Sequence, residues 1–234
     1  MLDLMSVEPA VSYPDLPAYE EDEATRVQAA SLVLRLRGQG IFDRAVLRAI
    51  ESVPRTLFVP PECRAYSYAD KALPIACGQT IAAPSIVGLM VAALDLCDRH
   101  SILEIGTGSG YQSAVLARLA RRVTTMDRFR TLVRTADARW QALGIRNISA
   151  LVADGFLGWP RQAPFDRILV NAAVPSPPVK LIAQLTDSGI LIAPIGGPGM
   201  QRLILFQRIG HNVDTRDLGG ARFLPMVAGV ALNL

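Results

Sequence analysis

The run Glu104-Ile105-Gly106-Thr107-Gly108-Ser109-Gly110 follows a short apolar stretch, Ile102 to Ile105, and leads into helix-forming residues from Tyr111. This is the feature that most constrains the fold. Glycines let the backbone turn sharply and let a ligand approach the chain closely. The helix start beyond them offers N–H groups with no internal partner. Strand, glycine turn and helix in that order make the first unit of an open α/β sheet. Three common versions of such a turn are excluded by spacing. A dinucleotide loop wants G-x-G-x-x-G, whereas the third glycine here is Gly110, giving G-x-G-x-G with an acid two residues before it. A phosphate loop ends in G-K-[S/T], which is absent. A hydrolase elbow wants G-x-S-x-G, and Ser109 has glycine on both sides.

The rest of the chain supports the same architecture. Helical spacing of Leu32, Leu36, Val46, Leu47 and Ile50 predicts two helices between Ala24 and about Ser52, parted by Gly38-Gln39-Gly40. Prolines keep Val53 to Pro61 from being helical, and Tyr66 to Thr80 reads as loop. Ala83 to Leu96 reads as a buried helix with Pro84 in its first turn. Strands are then expected at Ile102–Ile105, Val123–Met126, Ile148–Val152, Ile168–Val170, Ile190–Ile195, Gln201–Gln207 and Phe223–Leu232. Helices are expected at Tyr111–Leu119, Thr131–Leu143 and Pro178–Leu185. This alternation predicts a mostly parallel seven-stranded sheet with helices on both faces, closed at one edge by an antiparallel pair. The expected organisation is an N-terminal arm over 1–23, a helical and loop segment over 24–97, and an α/β core over 98–234.

Acids recur where strands end. Asp127 closes the second core strand, where doubly wound folds place an acid to take two ribose hydroxyls. Asp154 closes the third, positioned to accept from an adenine amino group, with Gly155 making room for the ring. With Glu104, three acids sit at three successive strand ends, the edge at which open sheets bind ligands. The pattern suits a ligand without pyrophosphate. S-adenosylmethionine, made of an amino acid, a ribose and an adenine, is such a ligand, and Glu104 is placed to receive its ammonium.

Composition excludes other classes. At 234 residues and 50% hydrophobic content the chain holds one α/β domain with a full core. Its net charge of +3 gives nucleic acid no special claim. The arginines from Arg118 to Arg139 read as a solvated helix face, with only Phe129 among them and Trp140 after them as aromatic residues. Three cysteines without a CxxC read as reduced thiols, and His100 and His211 join no metal-ligand cluster. The chain opens without a signal-peptide pattern, and Ile81 to Leu94 is too short to span a bilayer. A cytoplasmic protein with no metal and no membrane contact is expected, and nothing in the sequence sets an oligomeric state.

Further segments carry a resemblance. Val53-Pro54-Arg55 with Phe58-Val59-Pro60, Leu73-Pro74-Ile75 with Gly78-Gln79-Thr80-Ile81, the glycine loop continuing into Tyr111-Gln112, Asp154-Gly155 with Gly158-Trp159, Ala163-Pro164-Phe165-Asp166, and Arg222-Phe223 with Pro225 occur in this order. Together they resemble the protein-L-isoaspartate O-methyltransferases from about Arg26 onward. The resemblance implies a Rossmann-like class I methyltransferase fold. It also implies methyl transfer from S-adenosylmethionine to the free carboxylate of isoaspartyl residues in damaged proteins, leaving S-adenosylhomocysteine. The family's cofactor contacts would fall on Thr80, Ile81, Glu104, Gly106, Thr107, Gly108, Gly110, Asp127, Asp154, Gly155 and Gln201. Pro54, Arg55, Arg222, Phe223 and Leu224 would border the peptide groove.

One position departs from the family pattern. Its G-Q-T-I-S motif ends in a serine regarded as catalytic, and this chain has Ala82 there. Ser85, one helical turn further, is a candidate substitute hydroxyl or a local cap. Cys77 stands where many relatives have histidine, and Asn171 where they usually have threonine. A carboxylate acceptor has a reference pKa near 4 and needs no base to ionise it at neutral pH. An orienting hydroxyl is worth about 10²–10³ in rate, by analogy with a single oxyanion-hole donor. Two other readings stand beside repair. One is a methyltransferase with another acceptor, although Asn171-Ala172-Ala173-Val174 lacks the prolines and aromatic of amino-group methyltransferases. The other is a non-catalytic S-adenosylmethionine-binding protein that acts through a partner.

Overall fold

The computed structural model of the chain describes residues 22–231. The expected arm lies outside these residues except at its end, where Asp22 accepts the Thr25 N–H at 2.7 Å and caps the first helix. That helix, α1 (Glu23–Gly38), and α2 (Arg44–Ser52) are the expected pair. Asp43 caps α2, accepting from Ala45 and Val46 at 2.8 and 3.1 Å. The proline-rich stretch forms two short 3₁₀ turns, Arg55–Phe58 and Pro61–Tyr66, since its prolines leave no room for a regular α-helix. A two-residue strand β1 (Leu73–Pro74) pairs antiparallel with β2 (Thr80–Ile81), and α3 (Pro84–Ala93) follows.

The core begins with β3 (Ser101–Ile105), α4 (Tyr111–Ala117), β4 (Arg122–Asp127), α5 (Arg130–Ala142) and β5 (Ile148–Val152). It continues with β6 (Phe165–Val170), α6 (Val179–Ile182), β7 (Leu185–Ile195), β8 (Gln201–Ile209) and β9 (Asn212–Ala221). The seven-stranded sheet has the order β5-β4-β3-β6-β7-β8-β9. Its first five strands are parallel, and β8 runs antiparallel to both β7 and β9. The chain moves outward from β3 to β5 and then returns to lay β6 on the other side of β3. Strand order therefore reverses between β3 and β6, opening a crevice at their carboxyl ends.

Alternation along the strands sends side chains to two cores. Ile102, Leu169, Ile190 and Ile192 face a cluster that contains residues of α1 to α5. Leu103, Ile168, Val170 and Leu191 face a second cluster containing Leu181 of α6, with Phe156 and Trp159 packed against it. Helices do lie on both faces, but the second face is covered largely by irregular chain. α6 has only four residues because β7 starts at Leu185, inside the stretch expected to be helical.

The last expected strand is corrected. Phe223–Leu232 is not a strand in the described residues, and only Pro225 forms an isolated bridge, to Ala173. The seventh strand is β9, which returns from β8 through the tight turn Gly210-His211, with Ile209 opposite Asn212. Gly210 takes φ +60°, as such two-residue hairpins demand. β9 lies at the sheet edge and is largely exposed, so it carries no apolar alternation. The apolar residues after it serve another purpose, described below. No helix among the described residues is long and apolar enough to cross a membrane.

Removing the α2 cap tests the local account. Asp43→Ala should lower unfolding free energy by about 1 kcal/mol in urea titration and leave the far-ultraviolet helical signal of the folded state near its original value.

Candidate functional site

A cavity of about 340 Å³ opens at the β3/β6 reversal. Its floor is the glycine loop, which holds three successive left-handed glycines, Gly106, Gly108 and Gly110, at φ +94°, +54° and +87°. The loop is anchored on β4: Gly106 and Thr107 donate their N–H groups to the Met126 carbonyl at 2.7 and 3.1 Å. Gly110 packs so tightly on α5 that a Cβ there would lie 2.7 Å from that of Ala136. The Trp140 indole donates to the Gly110 carbonyl at 2.8 Å, and Arg139 donates to the Ser109 carbonyl at 2.8 Å. One member of the arginine cluster is therefore a loop brace and not part of a solvated face. Burial pulls the Arg139 guanidinium down to about 10.

Glu104 lies beneath this loop, fully buried, and does not line the cavity. Its Oε2 accepts from the Ser113 hydroxyl and, at 2.7 Å, from Thr125; its Oε1 accepts from the Asn171 amide at 3.1 Å. Thr107 reaches Thr125 at 2.8 Å and extends the network. Burial drives the Glu104 carboxyl up to about 7 against the lowering effect of these donors. Asp127 does line the cavity. Its two oxygens accept from the Gly108 and Phe129 N–H groups at 2.9 and 3.0 Å. Burial raises its carboxyl, and backbone donors counter that. Asn171 enters the wall from the end of β6, its N–H bonded to the Ile105 carbonyl at 2.8 Å.

The opposite wall comes from outside the core. Thr80, Ile81 and Ala82 line it, together with Arg222, Phe223 and Leu224 of the segment beyond β9. That segment supplies a roof of apolar side chains. It is fastened at Gly229, whose N–H donates to Asp154 Oδ2 at 2.9 Å and whose carbonyl accepts from Arg128 Nε at 3.2 Å.

Several expected site residues stand elsewhere. Arg55 and Pro54 are buried and do not line this cavity. The Arg55 guanidinium donates to the Ser67 carbonyl at 2.7 Å and to the Ala82 carbonyl at 2.6 Å, and sits 4.7 Å from the Tyr111 ring centroid. It therefore fixes the backbone at Ala82. Asp154 is not in the cavity wall; its oxygens hold the Phe156 and Gly229 N–H groups, while Ala153 and Gly155 form the surface. Gln201 is also absent from the wall. It clamps the chain, donating to the Gly197 carbonyl at 3.0 Å and accepting from the Phe223 N–H at 2.9 Å. Ser85 lies outside the lining and donates its N–H to Asp70 at 2.9 Å, so Asp70 caps α3 from a distance. Sequence reasoning missed Gln112, Phe129 and Met226 as wall residues. For the first two, position two residues beyond a loop glycine and two beyond Asp127 was an available signal; Met226 had none.

The family model described as "Protein-L-isoaspartate(D-aspartate) O-methyltransferase (PCMT)" matches residues 27–231. A protein-L-isoaspartate O-methyltransferase of Azorhizobium caulinodans is 54% identical over 215 residues, covering 92% of this chain and 99% of the relative. One of Maricaulis maris is 51% identical, covering 87% and 95%. A solved protein-L-isoaspartate O-methyltransferase superposes with TM-score 0.77 at 26% identity over 86% of this chain and 67% of that one. A second, from Plasmodium falciparum, gives 0.74 at 23% identity over 84% and 97%, which bears on the fold alone.

The raised Glu104 carboxyl makes a prediction about pH. The folded chain binds that proton more tightly than the unfolded chain does. The resulting stability is complete below the unfolded value of 4.5 and is lost as pH rises through about 7. Glu104→Gln keeps the shape and cannot ionise. Relative to the natural chain it should gain up to about 3 kcal/mol of unfolding free energy between about pH 5 and about pH 8, measured by urea titration at both.

Proposed function

The chain belongs to the protein-L-isoaspartate(D-aspartate) O-methyltransferase family, and from that membership we propose that it moves the methyl group of S-adenosylmethionine onto the free carboxylate of isoaspartyl residues in damaged proteins. The observation that carries the reading is a cavity with two unlike walls. One wall is the glycine loop with Asp127; the other joins Thr80-Ile81-Ala82 to the Arg222-Phe223-Leu224 segment.

The residues fit the cofactor. Gly106, Gly108 and Asp127 form a close-approach surface beside an acid, suited to a ribose. Ala153 and Gly155 leave a flat, small-residue face next to Phe129 and Met226, suited to an adenine. Gly155 lies against Ile105, with room for no side chain: a Cβ there would sit 2.4 Å from the Ile105 Cγ2. Two wall residues, Gln112 and the half-buried Asn171, each hold a buried side-chain atom without a partner. When bound, S-adenosylmethionine supplies an electrophilic methyl on a sulfonium. Among the described residues no group of three His, Cys, Asp or Glu side chains is placed to hold a metal ion.

The chain's own work is alignment. The acceptor carboxylate is ionised at neutral pH, so no side chain has to remove a proton. The site must bring carboxylate oxygen, methyl and sulfur into line and exclude water. Arg55 holds the Ala82 carbonyl, so the backbone of the acceptor wall is rigid although position 82 has no hydroxyl. The Phe223 and Leu224 side chains make the rim apolar where a peptide would lie. The ester formed by transfer closes to a succinimide on the substrate, the backbone amide nitrogen displacing the methoxy group as methanol without further help from the enzyme, and hydrolysis of that ring returns some normal aspartate.

Labelled S-adenosylmethionine should methylate a synthetic isoaspartyl peptide and leave its aspartyl twin unlabelled. Restoring the hydroxyl in Ala82→Ser should raise kcat/KM on the isoaspartyl peptide by about tenfold or more. Equal labelling of both peptides, or none of either, would remove repair as the function.

A further inference from the structure

β9 is the last strand of the sheet, and among the described residues no strand pairs with its outer edge. Which backbone groups face outward follows from the hairpin. Ile209 and Asn212 close the two-residue turn as a hydrogen-bonded pair, and such pairs alternate along an antiparallel ladder. Asn212, Asp214 and Arg216 therefore turn their N–H and C=O groups to β8. Val213, Thr215 and Asp217 turn theirs outward. This outward run is bounded at both ends. The turn Gly210-His211 ends it on one side. On the other side the ladder slips between Arg202 and Ile204, Gly219 takes φ +122°, and its N–H is spent on Asp217 Oδ1 at 2.8 Å.

An open edge is a template for another strand, and the side chains along it select which one. Val213-Asp214-Thr215-Arg216-Asp217 is exposed throughout. An acid and a base flank Thr215 on one face of the sheet. Among the described residues neither Asp214 nor Arg216 has a side-chain hydrogen bond or ion pair, whereas Asp217, on the other face, is held by Arg202 at 2.7 Å. Run a second copy of this strand antiparallel about Thr215, and Asp214 comes opposite Arg216 of the partner subunit. Arg216 comes opposite the partner's Asp214.

Backbone and charge agree on this register. Thr215 faces outward, so it forms a hydrogen-bonded pair with the partner's Thr215, and Val213 does so with the partner's Asp217. Asp214 and Arg216 then fall at the intervening positions, where opposite Cβ atoms approach to about 4.5–5.5 Å. The neighbouring registers set Asp214 against the partner's Asp214, or Arg216 against the partner's Arg216. Like charges directly opposite are unfavourable, so only the register about Thr215 is favoured.

We propose that β9 is a homodimerisation edge: two copies pair antiparallel through residues 213–217 about a two-fold axis at Thr215. Main-chain hydrogen bonds join them, with an Asp214–Arg216 ion pair on each side of the axis. The contact uses the same patch on both copies and closes on itself, so it makes dimers and not fibres. It is short, which makes the dimer weak and concentration-dependent. None of these five residues lines the cavity, so pairing leaves each site untouched.

The test is sedimentation velocity on the full chain from about 5 µM to about 500 µM, a range suited to a small interface. The natural chain should pass from monomer to dimer. Asp214→Arg and Arg216→Asp each set like charges across the axis and should weaken the dimer at least about tenfold, with the unfolding midpoint unchanged. An equimolar mixture of the two variants puts opposite charges back across the axis and should dimerise within about threefold of the natural chain. Thr215→Pro removes the central outward N–H, spares the ladder to β8, and should abolish the dimer. A natural chain that stays monomeric over the whole range overturns the proposal, whether the edge is bare or residues 1–21 take it. So does a dimer that neither charge variant weakens, and so does a mixture no tighter than the single variants.

Discussion

Glu104 places a carboxyl group in the middle of the molecule, where hydroxyls and an amide hold it in place of a cation. Its partners come from α4 through Ser113, from β4 through Thr125 and from the exit of β6 through Asn171. These are the elements that meet where strand order reverses. The carboxyl therefore registers the glycine loop against both neighbouring strands and against the helix that the loop opens. The loop also has direct bonds to Met126, Asp127 and Asn171, and the carboxyl adds the tie to α4 and to the Thr125 and Asn171 side chains. The arrangement has an electrostatic cost, visible in the carboxyl's shift to about 7. Hydrogen bonding lessens that cost and does not remove it.

The two walls of the cavity are built on different principles. The loop wall is made by backbone: left-handed glycines and N–H groups aimed at Met126 and Asp127. The facing wall is assembled from segments before and after the central strands, and polar side chains lock it. Arg55 grips the Ala82 carbonyl, Asp70 caps α3 from afar, and Gln201 fixes Phe223. Each of these residues reaches across to a backbone group and none touches the cavity. The loss of the serine hydroxyl at position 82 is thus a local change in a wall whose frame is held by other residues.

Much of this was legible in the sequence for a simple reason. Helix period, strand alternation and glycine spacing are local signals, and the sheet, the loop and Asp127 follow from them. Arg55, Asp154 and Gln201 were legible as distinctive residues, but their roles were not. Their partners, Ser67 and Ala82, Gly229, and Gly197 with Phe223, are set by tertiary contacts no local pattern encodes. The strand β9 escaped because an exposed edge has no buried face to enforce alternation. The apolar run after it imitated a strand because it, too, is selected to cover something, namely the cavity. Asn171 was visible as a departure, but its bonds to Glu104 and to the Gly106 carbonyl were not.

The roof over the cavity ends in a latch, Gly229 held between Asp154 and Arg128. During synthesis the glycine loop, β4 and β6 emerge long before that latch, and domains begin to fold from their N-terminal parts as they leave the ribosome. A nascent chain can thus own the whole loop wall while its cavity is still an open trough. Closure waits for the segment beyond β9, which makes ligand retention a property of a chain that already carries its latch and not of earlier folding intermediates.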